Sequence, residues 1–382
     1  MQNILILMGG VSTEHDISLI TGVQAINNID KNKYAIYPVV IDKLGKWHFS
    51  KDFQNIKNIQ KYFATKKQKG EVLLRDKTLY YVLKNKLKKL ASIDCVLFCL
   101  HGGTGENGAI QGFIESMNLP HTAPEHTFSG IFMDKYLSKI AFGKLGVESV
   151  KCIKIDKQKY LDEKVKAIEK VKQNITPPYF VKPNSQGSSI GISKANTTSK
   201  LRECIEDAFC YDEEVLVEET VNNLYELNIA VTRKNGKTIT SLIERPANKN
   251  KILSFGDKYL SGGKRGLDGM GRELPAKLTP EMESYIKESA TKIYDNFIKK
   301  GVVRIDYLVD GKTQKVYAGE VNTIPGSLSF YLWEGQMTFG ELLSAMIDDA
   351  IMQNEKSSCL RKSFDSSVLD GFSGAKGSKM RL

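Results

Sequence analysis

The stretch HGGTGENG, His101–Gly108, spaces its glycines at 103, 105 and 108 as G-x-G-x-x-G. The apolar run DCVLFCL precedes it and the helix-patterned AIQGFIESM follows. Strand, tight glycine turn and helix in that order make one unit of a parallel α/β sheet, and they are also the layout of a dinucleotide-binding loop. Two details count against NAD. The loop belongs to the second clear strand–helix unit of the chain instead of the first, and Glu106 would set a negative charge against a pyrophosphate. The dehydrogenase reading is the weaker one.

Upstream, NILILM (3–8), the turn GGVSTEH (9–15) and an amphipathic stretch from Asp16 to Ile29 form the first such unit, and YAIYPVVI (34–41) the next strand. Residues 43–92 are lysine-rich, with hairpin pieces expected around KWHF and LYYVL. LPHTAP adds a short strand, and strands alternating with helices predict a parallel α/β domain over residues 1–127. Downstream, residues 133–145 are helix-patterned. PPYFVKPNSQGSSIGISKA (177–195) reads as a hairpin with a glycine-serine tip, and VLVEE and ELNIAVT as further strands. LTPEMESYIKESATKIYDNFIKK predicts a helix capped by Thr279 with Pro280 in its first turn. Its apolar stripe includes Ile286, Ala290, Ile293 and Phe297. After residue 355 the chain turns to Ser, Gly and Lys, the composition of a disordered tail over 356–382.

Composition narrows the class. The chain has 382 residues, 41% hydrophobic and 26% charged, enough for two or three packed domains. No run of about 18 apolar residues occurs, and MQNILILMGG lacks the basic start of a signal peptide, so neither a membrane span nor export is expected. Six cysteines show no C-x-x-C pair and no zinc-ligand spacing; a reduced, cytoplasmic protein is the simplest reading. Net charge is +11, but the lysines are spread out. The cluster KNKLKKL (84–90) has no aromatic interleaving, so no nucleic-acid partner is expected, and the positive balance suits anionic small substrates.

Three segments carry residues suited to chemistry. VVRIDYLVD (302–310) and KVYAGEVNT (315–323) predict two antiparallel strands. Arg304 and Asp306 then share one face, as do Glu320 and Asn322. Two carboxylates and an amide oxygen on neighbouring strands make a hard, oxygen-rich set that suits magnesium on nucleotide phosphates, with Arg304 to balance developing charge. A surface salt-bridge ladder would give the same pattern, but the tight turn NTIPG directly after Asn322 favours a ligand. KPNSQGSS ends a strand at Lys182 and follows it with backbone N–H groups and hydroxyls able to close over phosphates, although polar hairpin tips are common and no Walker A motif exists. Glu14 and His15 near a helix start suit either the helix dipole or a substrate ammonium. Lys258 and Tyr259 lie in a long glycine-containing loop of the kind used as a lid.

Taken in order, MGGVSTEHDISL, HGGTGENGAIQG, MDKYLSK, VKPNSQGSSIGIS, VEETVNNLYE, DKYLS, RIDY and EVNTIPG resemble the D-alanine–D-alanine ligases of the ATP-grasp superfamily, across roughly residues 3 to 350. The resemblance implies an α/β and α+β multidomain fold: a Rossmann-like N-terminal substrate domain (1–127), then a two-domain ATP-grasp fold with a central part (128–214) and a C-terminal part carrying lid and metal site (215–355). It implies that Lys135, Lys182, Ser188 and Ser189 contact ATP, that Glu218 and Glu219 lie along the adenine, that Glu226 takes the ribose and that Leu308 packs on the base. Asp306, Glu320 and Asn322 would hold two Mg2+ ions, with Mn2+ as a substitute. Glu14 would bind the first D-alanine's ammonium, with His101 close by, while Glu14, Ser188 and Tyr259 would link three loops. Lys258, Arg304 and Gly326 would meet the second substrate and the developing charge.

The implied reaction needs no protein nucleophile. One D-alanine carboxylate attacks the γ-phosphate of ATP, and a second D-alanine's amine then attacks the acyl phosphate, yielding the peptidoglycan dipeptide; homodimers are usual in such ligases. The chain departs from the pattern at Asn107, where Asp is usual, in the length of VEETVNNLYE before Glu226, in the glycine-rich GGKRGLDGMG, and in one further segment. NTIPGSLSFYLWEG puts Tyr331 where a serine usually helps seat the second carboxylate, with Ser327 and Ser329 as substitutes. D-serine or another amine is therefore an alternative second nucleophile. A non-catalytic nucleotide-binding homologue is the alternative of a different class.

Overall fold

The computed structural model describes residues 1–65, 70–84, 86–187, 190–246, 272–361 and 363–366. Ser188, Ser189, Lys258 and Tyr259 lie outside the described residues, as does most of the tail. Among the described residues no helix is long and apolar enough to cross a membrane.

The first unit contains β1 (Gln2–Gly9), α1 (His15–Asn28), β2 (Tyr34–Ile41), β3 (Trp47–Phe49), α2 (Ile56–Ala64), β4 (Val72–Arg75), β5 (Thr78–Leu83), β6 (Lys86–Ser92), β7 (Cys95–Phe98) and α3 (Ala109–Ser116). Its main sheet runs β3-β2-β1-β7, with β1 parallel to both β2 and β7. Ile4 to Met8 are fully buried, as the near-continuous apolar run of a central parallel strand requires. The lysine-rich segment folds into its own antiparallel sheet, β4-β5-β6, larger than the hairpin pieces expected. LPHTAP contributes one parallel bridge, His121 to Val96, instead of a strand.

The expected helix over 133–145 is two helices, α4 (His126–Met133) and α5 (Lys135–Lys144). Asp134 breaks the run: its backbone is extended, and its side chain accepts the Leu137 N–H to cap α5. The second unit adds β8 (Cys152–Asp156), α6 (Lys157–Asp162), α7 (Lys164–Asn174), β9 (Tyr179–Pro183), β10 (Ser193–Ala195), α8 (Thr198–Ala208) and β11 (Glu214–Glu219). The sheet order is β10-β9-β11-β8. Residues 215–219 thus pair with the central sheet. A boundary at 214 cuts through that strand, and the sheet ends at Glu219.

The third sheet, β13-β12-β14-β15, is antiparallel and comprises β12 (Tyr225–Lys234), β13 (Lys237–Glu244), β14 (Val303–Val309) and β15 (Val316–Asn322). It packs against α9 (Pro280–Ile293), whose cap is Thr279 Oγ1 accepting from Met282 N, and whose Ile286, Ala290 and Ile293 are buried. The last turn of the helical run, Tyr294–Ile298, widens to π geometry. Finally α10 (Phe339–Ser358) carries a capping box between Thr338 and Glu341. It continues three residues beyond the point where the sequence turns polar, so the tail begins later than expected. Its Leu342, Leu343, Met346 and Ile347 join Trp333 in the core of the first unit. The end of the chain therefore clamps the first and third units together.

Candidate active site

Two strand-to-helix turns of the first sheet lie side by side. Ser18 Oγ accepts from Gly9 N and donates to Cys99 O, both at 2.7 Å, tying the ends of β1 and β7. Gly102 has φ 63°, and a Cβ there would sit 2.5 Å from Ser12 Oγ and 2.9 Å from Glu14 Oε2. The glycine is thus needed for the close approach of the two loops, which puts Glu14 against the HGGTGENG turn.

His101 is buried and joins this turn to the one after β15. Its Nδ1 lies 2.7 Å from Ile324 O, which only accepts, so Nδ1 carries the proton; Nε2 then accepts from Thr21 Oγ1 at 2.8 Å. Thr21 Oγ1 in turn accepts from Ser327 N at 3.0 Å. Burial lowers the His101 pKa to about 4, so the ring is neutral at pH 7. Glu106 makes the parallel link. Its carboxyl accepts from Gly102 N at 3.0 Å and faces Thr323 Oγ1 and Ile324 N at 3.3 and 3.4 Å. Burial, and next the charge of Glu14, raise its pKa to about 7.

The second sheet and α5, whose Ala141 and Phe142 pack in the core of the third unit, supply cations. Asn184 docks the start of α5, accepting from Lys135 N through its backbone oxygen (3.1 Å) and from Tyr136 N through its side chain (3.0 Å). Lys135 is thereby turned toward the 184–187 loop. Its Nζ donates to Gln186 O at 2.6 Å and pairs with Glu320 at 3.0 Å. Lys182 on β9 pairs with the buried carboxylate of Glu218 on β11 at 2.9 Å, and Lys139, one turn after Lys135, reaches the same carboxylate at 2.9 Å. Burial alone would raise the Glu218 pKa; Lys182 and Lys139 outweigh it and hold the pKa lowered.

The third unit supplies a row of oxygens. Glu244, Asn228, Asp306 and Glu320 are successive cross-strand partners on β13, β12, β14 and β15, and Arg304 opposes Asn322 in the neighbouring row. Arg304 grips Asp306 with two bonds of 2.6 and 2.8 Å, and Asn322 Nδ2 donates to the same carboxylate at 3.0 Å. The Glu320 pKa stays lowered although burial opposes it, because Lys135, then Lys182 and Arg304, favour the charged form. Among the described residues no cluster of three or more His, Cys, Asp or Glu forms a metal cage. Asp306, Glu320 and Asn322 could supply a partial oxygen set to a metal ion, with phosphate completing its coordination.

These parts meet. A cleft of about 90 Å³ is lined by Glu14 and Gly102 of the first unit, Gln186 of the second, and Glu320 and Asn322 of the third, with Lys135 on α5, a helix packed in the third unit's core. Glu226, exposed at the start of β12, opposes Leu308 on β14, and Glu219 ends β11. Gly326 begins the turn after Ile324. Sequence reading passed over Lys139 and Glu244 and saw Glu106 only as a repelling charge. Lys139 was findable, since four residues after Lys135 is the same helix face. Glu244 was not, because its place depends on the pairing of β12 with β13.

A family model described as the D-ala D-ala ligase N-terminus matches residues 3–124, and one described as the D-ala D-ala ligase C-terminus matches residues 142–348. A D-alanine–D-alanine ligase of Thermosipho africanus is 33% identical over 374 residues, covering 97% of this chain and 99% of the relative. A D-alanine–D-alanine ligase B of Clostridium tetani is also 33% identical, covering 91% of this chain and 92% of the relative. Among solved structures, the VanG D-Ala:D-Ser ligase of Enterococcus faecalis superposes with a TM-score of 0.77 at 26% identity, covering 91% of this chain and 99% of that one. A D-alanine–D-alanine ligase of Bacillus anthracis complexed with ATP gives 0.63 at 23%, covering 94% and 100%.

Proposed function

The chain belongs to the D-alanine–D-alanine ligase family, and from that premise we propose how its own residues join two D-alanines at the expense of ATP. The observation that carries the reading is one cleft lined by Glu14, Gln186 and Glu320 from three separate units, with Lys135 reaching into it. ATP enters between the second and third units, and its phosphates take over Lys135 and Lys182 from Glu320 and Glu218. Lys139 stays behind and keeps Glu218 neutralised. Glu219, Glu226 and Leu308 receive the adenosine. Glu14 holds the ammonium of the first D-alanine, so that its carboxylate faces the γ-phosphate.

Attack of that carboxylate gives an acyl phosphate and ADP. The amine of the second D-alanine then adds to the activated carbonyl, and phosphate leaves. Arg304 balances the charge that develops on the carbonyl oxygen. Neutral His101 and its hydrogen bonds to Thr21 and Ile324 hold the surrounding loops without adding charge. Asp306, Glu320 and Asn322 suit magnesium, whose chemistry when bound is to neutralise phosphate charge. The roles that the resemblance implies for Ser188, Lys258 and Tyr259 belong to the same proposal, as do a homodimeric state and a cytoplasmic setting, both usual for the family.

A second reading replaces the second D-alanine by D-serine. Tyr331 and the likeness to a D-Ala:D-Ser ligase favour it. One experiment separates them: ATP, magnesium, D-alanine and a panel of amine nucleophiles, with products identified by mass spectrometry. D-Ala-D-Ala as the main product is expected. A main product of D-Ala-D-Ser selects the second reading, and ATP binding without any dipeptide overturns both.

A further inference from the structure

The proposed reaction requires a second amino acid whose carboxylate, an anion, must be held while its amine attacks. The cations at this face of the third sheet and its edge are unequally committed. Arg304 spends two N–H groups on Asp306, Lys135 is paired with Glu320, and Lys182 with Glu218. Arg272 differs. Its Nη1 lies 3.8 Å from Glu244, beyond hydrogen-bond distance, and that buried nitrogen has no hydrogen-bond partner among the described residues. A guanidinium with unspent, buried N–H groups carries a desolvation cost that a ligand carboxylate would relieve through two parallel bonds.

Arg272 is also positioned for that ligand. Its partner Glu244 stands in the cross-strand row with Asn228 and Asp306, the carboxylate that Arg304 grips. On the other side the guanidinium lies over the ring of Tyr331, 5.5 Å from its centroid. That ring sits on the turn opened by Ile324 and Ser327, the turn fixed to His101 and Thr21. The aromatic face orients the guanidinium plane and shields it from water. Tyr331 is the residue by which NTIPGSLSFYLWEG departs from the resembled pattern.

We infer that Arg272, stacked on Tyr331, receives the carboxylate of the second amino acid. The inference rests on the ligase reading and deepens it. Glu244 tunes the site: it keeps Arg272 oriented without spending its donors.

The test is two-site steady-state kinetics on the full chain. Arg272→Met should raise the KM for the second D-alanine about 10- to 100-fold and leave the KM values for ATP and the first D-alanine within threefold. Arg272→Lys, which keeps the charge but loses the fork, should fall between. D-alaninamide, a nucleophile without a carboxylate, should couple equally well in wild type and Arg272→Met. The rival role, neutralising Glu244, is separated by the double variant Arg272→Met with Glu244→Gln: it stays defective toward D-alanine if Arg272 binds substrate. Recovery in the double variant overturns the inference, and so does a parallel loss with D-alaninamide or an unchanged second KM. If wild type yields no dipeptide with any amine, the ligase reading itself falls and takes this inference with it.

Discussion

The two halves of the cleft are built by different physics. On the side proposed for the amino acids, Ser327 N–H, Thr21, neutral His101 and Ile324 form an unbroken hydrogen-bonded chain, and Glu106 ties Gly102 to Thr323 and Ile324 beside it. On the side proposed for the nucleotide the lysines are held by carboxylates, Lys135 by Glu320, Lys182 and Lys139 by Glu218. Directed bonds between neutral groups fix loops in one geometry. Ion pairs instead keep charges compensated until a stronger anion arrives and a lysine changes partner. The first half is a mould, and the second is a set of charges in waiting.

The comparison breaks first at Arg304, which lies where the halves meet. Arg304→Ala should lower kcat about 10²- to 10³-fold, measured as phosphate release at saturating substrates. A loss under threefold would mean that Arg304 serves only to hold Asp306. Next in size is a contrast between two lysines on one carboxylate. Lys182→Met should raise the KM for ATP about 10- to 100-fold, because a phosphate partner is gone. Lys139→Met should move that KM less than threefold yet lower stability by about 1–3 kcal/mol, seen in urea midpoints, because Glu218 stays buried with one cation fewer. Equal effects of the two substitutions on ATP would dissolve the distinction between a lysine that moves and one that stays.

The glycines sharpen the other half. Gly102→Ala forces a Cβ into Ser12 Oγ and Glu14 Oε2 at a left-handed φ. It should raise the KM for the first D-alanine about tenfold while sparing that for ATP, since the displaced group is Glu14 and no lysine is touched. This glycine also shows what the sequence made legible. The spacing G-x-G-x-x-G announces a strand, a tight turn and a helix, and all three are present; what Gly102, outside that spacing, and Gly103 accommodate is a neighbouring loop, which no local pattern encodes. Likewise alternation alone puts Arg304 with Asp306 on one face of RIDY, and Glu320 with Asn322 on one face of EVNT; the register of β14 with β15 then brings the two pairs together. Glu244 and Arg272 stayed invisible because they come together only through strand pairing and through the turn that carries Tyr331. The expected boundary at 214 falls inside β11 for the same reason: which sheet that buried strand joins is set by its pairing with β8 and β9.

The smallest effect tests whether the mould is neutral at all. Glu106 has a pKa near 7 in the fold against an ordinary 4.5, raised by burial and then by Glu14, with Glu320 adding to it and the N–H groups of Gly102 and Ile324 opposing. A carboxyl raised in this way favours the fold when protonated. Its contribution is fully present below about pH 4.5 and is lost as pH rises through about 7. Glu218 and Glu320, both lowered, act in the opposite sense and lose their contribution only in acid, and His101, near 4, stays neutral through the window. Glu106→Gln keeps the shape and cannot ionise. Its stability relative to wild type should therefore rise between pH 5 and pH 8, read as the difference in urea midpoints at the two values. A difference that does not change with pH would mean that Glu106 is already charged at pH 5. The amino-acid side would then rest on an anion, as the nucleotide side does, and the two halves would differ only in which partner each anion keeps.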